Sequence, residues 1–150
     1  MKPIRIALIG IGNCASTLVQ VLALAKKGSV PSLSRPVVMG YRLTDIEVCM
    51  AYDIDVRKVS RPLAEALLAE PNCFRRLPVT DKEIPNLVVK MGKPEDGIGT
   101  LLNNEAYGFQ LADQEQPSLD AVASDLRGAE IDLVINYLPV GSECASRFYA

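Results

Sequence analysis

The sequence has no histidine and no tryptophan, and only 5% of its 150 residues are aromatic. The missing histidine excludes, within this chain, a histidine base or a His-ligated metal. With 16 basic and 18 acidic residues the formal net charge is −2, so no overall attraction to nucleic acid or anionic lipid is expected. The longest apolar runs are also far shorter than the roughly 20 residues that a membrane-spanning helix needs. We therefore expect neither a nucleic-acid nor a membrane partner.

Cysteine is scarce as well, and no C-x-x-C pair occurs among Cys14, Cys49, Cys73 and Cys144. A structural zinc site would have to collect all four from distant places, and disulfide frameworks are typical of smaller secreted chains. We predict no metal site and expect these cysteines to be small buried residues in a reducing cytoplasm.

Hydrophobic residues make up 49% of the chain and charged residues 23%, which favours a packed core over disorder. Short apolar runs predict strands at residues 4–9, 46–53, 87–91 and 131–138. Apolar residues spaced by three and four predict helices over residues 13–27, 59–69 and 119–127, with a further helix starting after residue 142. Residues 29–44 carry two prolines and three serines and are interpreted as an irregular insertion.

Local signals mark the ends of the predicted helices. Gly28 lies where a C′ residue is wanted, Ser60 is a possible cap of the second helix, and Ser118 is the predicted cap of the third. The alternation of strands and helices indicates one α/β domain spanning residues 1–150. Its fold class is a Rossmann-like doubly wound parallel sheet of about four strands in the order 3-2-1-4, which we expect to be incomplete at its C-terminal end.

A glycine-rich turn separates the first predicted strand from the first helix. It reads Gly10-Ile11-Gly12-Asn13-Cys14-Ala15, the G-x-G-x-x-A form of the dinucleotide-binding fingerprint. Gly10 permits the tight turn, Gly12 lets a pyrophosphate approach the backbone, and Ala15 lets the helix pack close to the strand. The helix start offers free N–H groups to the phosphates. The alternative is an ordinary strand-to-helix turn.

An acidic residue at the end of the second strand binds the adenosine ribose in this fold. Asp53 fills that place, with Asp55 as the alternative, and the insertion over 29–44 accounts for the long spacing from the glycines. A carboxylate there repels a 2′-phosphate and favours NAD over NADP. The alternative is that Asp53 is an ordinary strand-end or turn aspartate.

Two further segments fall on the same predicted rim of the sheet. Residues 138–142 leave the fourth strand where the strand order reverses, and ligands bind beside such a point. Asp96-Gly97-Ile98-Gly99 follows the third strand. The alternatives are that Ser142 is only a helix N-cap and that residues 96–99 are only a connecting loop.

The segments GIGNCAS, YDID followed by Arg57-Lys58-Val59, DGIG and YLPVGSE occur in this order along the chain. With them the sequence resembles the inositol-3-phosphate synthase family, also called myo-inositol-1-phosphate synthase, in its bacterial (actinobacterial) type. The resemblance implies NAD as the cofactor. It also implies a cofactor site formed by Gly10, Gly12, Asn13, Cys14 and Ala15 at the pyrophosphate, Asp53 at the ribose, and Leu138 and Pro139 near the nicotinamide.

Family members of this kind are longer and carry a second domain with the substrate site and most catalytic groups. The resemblance therefore covers the N-terminal, NAD-binding part, and no catalytic residue is assigned here. It implies isomerisation of glucose 6-phosphate to inositol 3-phosphate by internal oxidation, aldol cyclisation and reduction. It also implies a sugar phosphate bound through the absent domain and a homo-oligomer in the full-length form.

One departure from the family pattern is Ser60-Arg61-Pro62, which stands where relatives usually have a glycine and an aspartate. Two other functions stay open from the residues alone: a stand-alone NAD-binding or regulatory module, and another small NAD-dependent oxidoreductase. With strand four at an edge and its helix short, we also expect a marginal or association-prone domain.

Overall fold

The four strands of the sheet are all parallel, and a computed structural model describes them within residues 2–30, 33–97 and 108–150. The strands are β1 (Ile4–Ile9), β2 (Ile46–Asp53), β3 (Lys90–Met91) and β4 (Leu133–Asn136), in the order β3-β2-β1-β4. The helices of the described residues are α1 (Asn13–Lys26), α2 (Leu63–Ala66), α3 (Leu119–Gly128) and α4 (Glu143–Phe148). The predicted Rossmann-like sheet with strand order 3-2-1-4 is confirmed.

The central strand β1 supplies both layers of the core. Ile6 and Leu8 pack into a cluster with Ala15 and Val19 of α1. Ala7 and Ile9 point to the other face, into a cluster that includes Val122 of α3. Successive side chains of a strand alternate between faces, and a parallel strand covered on both sides has to be apolar throughout.

Helix α1 follows the sequence prediction closely at both ends. It is followed by Gly28 in the left-handed region, with φ +68°. The Gly28 N–H donates to the Ala25 carbonyl at 2.9 Å, and the Ser29 N–H donates to the Leu24 carbonyl at 3.0 Å. These two bonds form a Schellman motif, which satisfies carbonyls that the helix itself leaves free.

The prediction of a helix over residues 59–69 is wrong for most of that range, because only α2 (Leu63–Ala66) is helical. Ser60 does not cap it; its φ of +62° lies in the left-handed region. Pro62 adopts an extended conformation immediately before α2 and has no N–H to donate.

Instead of a helix, residues 60–63 form an antiparallel pairing along the outer side of residues 87–89. The Ser60 N–H donates to the Val89 carbonyl at 2.8 Å, the Val89 N–H donates to the Arg61 carbonyl at 2.9 Å, and the Leu63 N–H donates to the Leu87 carbonyl at 2.8 Å. The predicted third strand is therefore split: residues 87–89 serve this pairing, and only Lys90–Met91 joins the parallel sheet.

The second half of the described chain is predicted better. The Ser118 hydroxyl accepts a hydrogen bond from the Ala121 N–H at 3.1 Å, which confirms it as the N-cap of α3. Strand β4 is shorter than the predicted 131–138. At one end the Ile131 N–H bonds to the Leu126 carbonyl, and at the other the Leu138 N–H bonds to the Asn136 side chain.

The expected burial of the cysteines is wrong. Cys14, Cys73 and Cys144 are exposed, Cys49 is half-buried, and all four are free thiols. Cys14 and Cys144 lie in the first turns of α1 and α4, where their neighbours Ala15 and Ala145 occupy the buried face instead. Within the described residues, no helix is both long and apolar enough to cross a bilayer.

Ser60 provides a test of the backbone strain in this segment. A non-glycine residue in the left-handed region costs roughly 1–2 kcal/mol, and the entropy of an added glycine offsets part of the gain. We expect Ser60→Gly to stabilise the protein by about 0.5–1 kcal/mol in urea denaturation.

Ser124→Gly is the matched control, since Ser124 is exposed within helix α3. There the same substitution should destabilise by roughly 0.5 kcal/mol. Equal effects of the two substitutions would contradict the strain at Ser60.

Candidate functional site

A cavity of about 60 Å³ lies at the carboxyl ends of the strands. Five of the eight residues predicted to contact a cofactor line it: Gly10, Gly12, Asp53, Leu138 and Pro139. The cavity lies beyond the ends of β1, β2 and β4, beside the reversal of strand order, which is the usual ligand position in open parallel sheets. It is too small to enclose a dinucleotide.

The two glycines of the turn meet different surroundings. Gly10 has φ +87°, and a Cβ atom added there would lie 3.2 Å from the backbone carbonyl of Tyr137. Gly10 therefore has to lack a side chain, because its backbone packs closely against the end of β4. A Cβ atom on Gly12 would meet nothing within 4 Å among the described residues, so this glycine faces open space, where a ligand could approach the backbone.

Helix α1 begins directly after Gly12, which is its N-cap. The first intrahelical bond runs from the Ser16 N–H to the Gly12 carbonyl, so the N–H groups of Asn13, Cys14 and Ala15 have no acceptor within the helix. The first turn carries no acidic residue. Free N–H groups, the positive end of the helix dipole and the absence of negative charge in that turn suit a bound anion.

The side chains of this first turn have separate roles. Ala15 is completely buried against the strand, as the close helix–strand packing predicted. The Asn13 Oδ1 atom accepts hydrogen bonds from the N–H groups of Cys73 and Phe74, both at 2.9 Å. Asn13 thereby joins the turn to residues 73–74, between α2 and β3, and its side chain does not line the cavity.

Asp53 lies at the end of β2 with a nearly buried carboxylate, 6% exposed. Its Oδ2 accepts from the Ile11 N–H at 2.7 Å, and its Oδ1 accepts from the N–H groups of Ile54 and Asp55 at 2.8 and 2.9 Å. A carboxylate has about four acceptor positions, so three are used by the backbone and one is left for a ligand. The ribose contact of Asp53 stays a prediction.

Lys58 is a residue of the site that the sequence reasoning did not assign. Its side chain is fully buried, and its Nζ donates to the Ile11 carbonyl and to Asn72 Oδ1, both at 2.9 Å. The same Nζ lies 3.9 Å from Asp53 Oδ2. Burial lowers the pKa of Lys58 below the usual lysine value, against the opposing charges of Asp53 and Asp55. The one sequence signal was its place in the Arg57-Lys58-Val59 segment, which follows YDID after Val56.

Asp55, the alternative to Asp53, is occupied elsewhere. Its fully buried carboxylate accepts from the Arg57 guanidinium at 2.7 and 2.5 Å and from the Gln110 N–H at 3.2 Å. Burial raises the pKa of Asp55, but the hydrogen bonds from Arg57 and Gln110 and the charge of Arg57 together hold the pKa below its usual value. Asp55 therefore fixes residues 108–112 beside the end of β2 rather than facing the cavity.

The helix that follows β4 is capped from a different part of the chain. Ser142 precedes α4, but its buried hydroxyl makes no hydrogen bond to the described residues. The Asp96 carboxylate instead accepts from the N–H groups of Cys144 and Ala145, at 2.8 and 2.9 Å. The predicted rim segment 96–99 is thus joined to the start of α4 through Asp96, while Ile98 and Gly99 lie outside the described residues.

No protein-family model matches the chain. Its sequence is 35% identical to inositol-3-phosphate synthase of Mycolicibacterium smegmatis over 151 residues, which covers 98% of this chain and 39% of that protein. The enzymes of Mycobacterium tuberculosis and Corynebacterium glutamicum match at 35% and 34% identity with the same coverage. The chain is a relative of the inositol-3-phosphate synthases. It spans about two-fifths of the length of these curated relatives.

Two solved structures share the fold. The crystal structure of Ari2 superposes with a TM-score of 0.76 at 28% identity, over 98% of this chain and 41% of that one. A myo-inositol-1-phosphate synthase-related protein from Thermotoga maritima superposes with a TM-score of 0.64 at 16% identity, over 91% of this chain and 34% of that one. The second similarity concerns the fold alone.

The departure of this chain from the inositol-3-phosphate synthase pattern has a local structural counterpart. Within the Ser60-Arg61-Pro62 segment, where the resemblance expects a glycine and an aspartate, Ser60 has the backbone conformation that favours glycine. Pro62 takes part in the pairing along residues 87–89. Among the described residues, Asp53 is the carboxylate that lines the cavity.

The Asp96 cap predicts a specific pH dependence of stability. Its two backbone bonds, from Ala145 and Cys144, hold the pKa of Asp96 below its ordinary value of 3.8. A carboxylate with a lowered folded pKa stabilises the protein above its unfolded pKa, and this contribution is lost as the pH falls through the folded pKa. We expect Asp96→Asn to lower the melting temperature at pH 7 and to approach the parent protein near pH 2.

The measurement is a series of thermal melts of both proteins between pH 7 and pH 2. A difference in melting temperature that stays constant over this range would contradict the ionised cap.

Proposed function

We propose that this chain binds NAD at the turn after β1 and forms the cofactor-binding part of an inositol-3-phosphate synthase. The observation that carries the proposal is the pairing of Gly12, which faces open space, with the uncapped start of the 14-residue helix α1. A pyrophosphate fits this arrangement, because its charge meets free N–H groups and no side chain keeps it from the backbone. The names of the curated relatives support the same family of reactions.

In this proposal, different residues contact different parts of the cofactor. The backbone of the turn and of the first turn of α1 takes the pyrophosphate, through Gly10, Gly12, Asn13, Cys14 and Ala15. The remaining acceptor position of Asp53 takes a ribose hydroxyl, and its negative charge disfavours the 2′-phosphate of NADP. Leu138 and Pro139 form the apolar wall beside the nicotinamide.

When bound, NAD would supply hydride transfer from and back to the sugar. The residues of this chain hold and orient the cofactor, and the apolar wall at residues 138–139 keeps water from its reactive side. The proposed overall reaction is the isomerisation of glucose 6-phosphate to inositol 3-phosphate by internal oxidation, aldol cyclisation and reduction. The sugar phosphate would be bound chiefly by the region of the longer family members that this sequence does not match. The full-length protein would be a cytoplasmic homo-oligomer.

Gly12→Ala tests the cofactor site by isothermal titration calorimetry with NAD. A methyl group at this position has room in the protein but occupies the space proposed for the pyrophosphate. We expect NAD to bind the parent chain more tightly than NADP, and Gly12→Ala to weaken NAD binding by about tenfold or more, which corresponds to about 1.4 kcal/mol.

Gly128→Ala is the matched control, since a Cβ atom there also meets nothing within 4 Å and the residue lies far from the cavity, at the end of α3. It should bind NAD as the parent chain does. A folded parent chain that binds no NAD would overturn the proposed function.

A further inference from the structure

Both peptide groups of Ile11 are held by side chains that come from other parts of the chain. Its N–H donates to Asp53 Oδ2 at 2.7 Å. Its carbonyl accepts from Lys58 Nζ at 2.9 Å and from Asn72 Nδ2 at 3.0 Å. Ile11 is the residue between the two glycines, so these bonds fix the turn at its centre.

The lysine that makes one of these bonds lies in an unusual environment. Lys58 is 0% exposed and its ammonium lies 3.9 Å from the Asp53 carboxylate. Taking a charged pair out of water costs several kcal/mol per ion, and an apolar side chain of similar volume is often equally stabilising or better. Stability alone therefore does not account for a lysine here. What an apolar residue could not provide is a donor that reaches the Ile11 carbonyl and Asn72 together.

The placement of the ammonium shows how it would act on a ligand. Lys58 is absent from the lining of the cavity and has no exposed surface, so a bound cofactor would not touch it. The nearby Asp53 carboxylate also balances its charge, which limits its attraction for a phosphate at a distance. Its remaining influence is geometric, through the orientation of the Ile11–Gly12 peptide group that its bond to the Ile11 carbonyl fixes.

We propose that Lys58, with Asn72 as its partner, is a positioning residue for the pyrophosphate-binding turn. By holding the Ile11 carbonyl away from the ligand, the two side chains direct the N–H groups of Gly12 and the first turn of α1 toward the anion. This inference rests on the proposed function for its ligand, but the fixing of the turn can be measured without any ligand.

The test uses Lys58→Met, which keeps most of the side-chain volume and removes the ammonium. We expect faster amide hydrogen exchange at Ile11, whose N–H is bonded to Asp53, and shifted ¹⁵N–¹H resonances at Ile11 and Gly12 by NMR. We also expect NAD affinity, measured by calorimetry well below the melting temperature, to fall by about tenfold or more.

Two controls separate positioning from general destabilisation. Lys26→Met makes the same substitution at an exposed lysine at the end of α1 and should change neither readout. Val122→Ala removes core packing between α3 and the sheet, and at a temperature where it is folded it should bind NAD as the parent chain does. Equal losses of affinity in Val122→Ala and Lys58→Met would overturn the positioning role.

The amide-exchange and NMR measurements need no ligand, so their outcomes test the inference independently of NAD binding. Unchanged exchange at Ile11 together with unchanged resonances of Ile11 and Gly12 in a folded Lys58→Met protein would overturn the inference, whether or not NAD binds. If the parent chain binds no NAD while the variant shows the faster exchange at Ile11 and the shifted resonances, the proposed function fails and the fixing of the turn is supported. Should Lys58→Met not fold, Asn72→Ala removes the other donor to the Ile11 carbonyl and is expected to change the same signals. Unchanged signals in that variant would overturn the inference.

Discussion

The turn after β1 takes its shape from the strands on either side of it. The Gly10 N–H donates to the Tyr52 carbonyl of β2 at 2.8 Å, which continues the parallel pairing one residue beyond the strand. On the other side the Tyr137 N–H donates to the Ile9 carbonyl at 2.8 Å. Because parallel strands end at the same edge, this alignment brings the end of β2 and the loop after β4 to the turn. The cavity, the Asp53 bonds and the start of α1 all depend on it.

Irregular segments complete the site around this aligned edge. Residues 73–74 contact Asn13, residues 110–112 pair with residues 54–56 beside β2, and Asp96 joins the segment after β3 to α4. Each contact uses a side chain or a free backbone group at the end of a regular element. The strands thus determine where the site lies, and these loops determine which groups surround it.

The sequence predicted the elements whose pattern is local and left out those determined by distant partners. The bounds of β1, α1 and β2, and the cap at Ser118, follow from short-range periodicity and capping chemistry. The helix over 59–69 failed because residues 60–63 find their hydrogen-bond partners in residues 87–89, which no local pattern reveals. The roles of Lys58 and Asp96 were missed for the same reason: Lys58 bonds to Ile11 and Asp96 to Ala145, 47 and 49 residues away in sequence. Asp53 lies at the end of β2 as predicted and lines the cavity, while its three backbone bonds could not be foreseen.

The pairing of residues 60–63 with residues 87–89 makes the two margins of the sheet unequal. On the β3 side, the backbone groups of Leu87 and Val89 are already bonded to residues 60–63. On the β4 side, no strand of the described residues pairs with the outer edge, and Leu133 there is 52% exposed. A further strand would therefore meet occupied backbone groups along residues 87–89, whereas the edge of β4 is unpaired among the described residues.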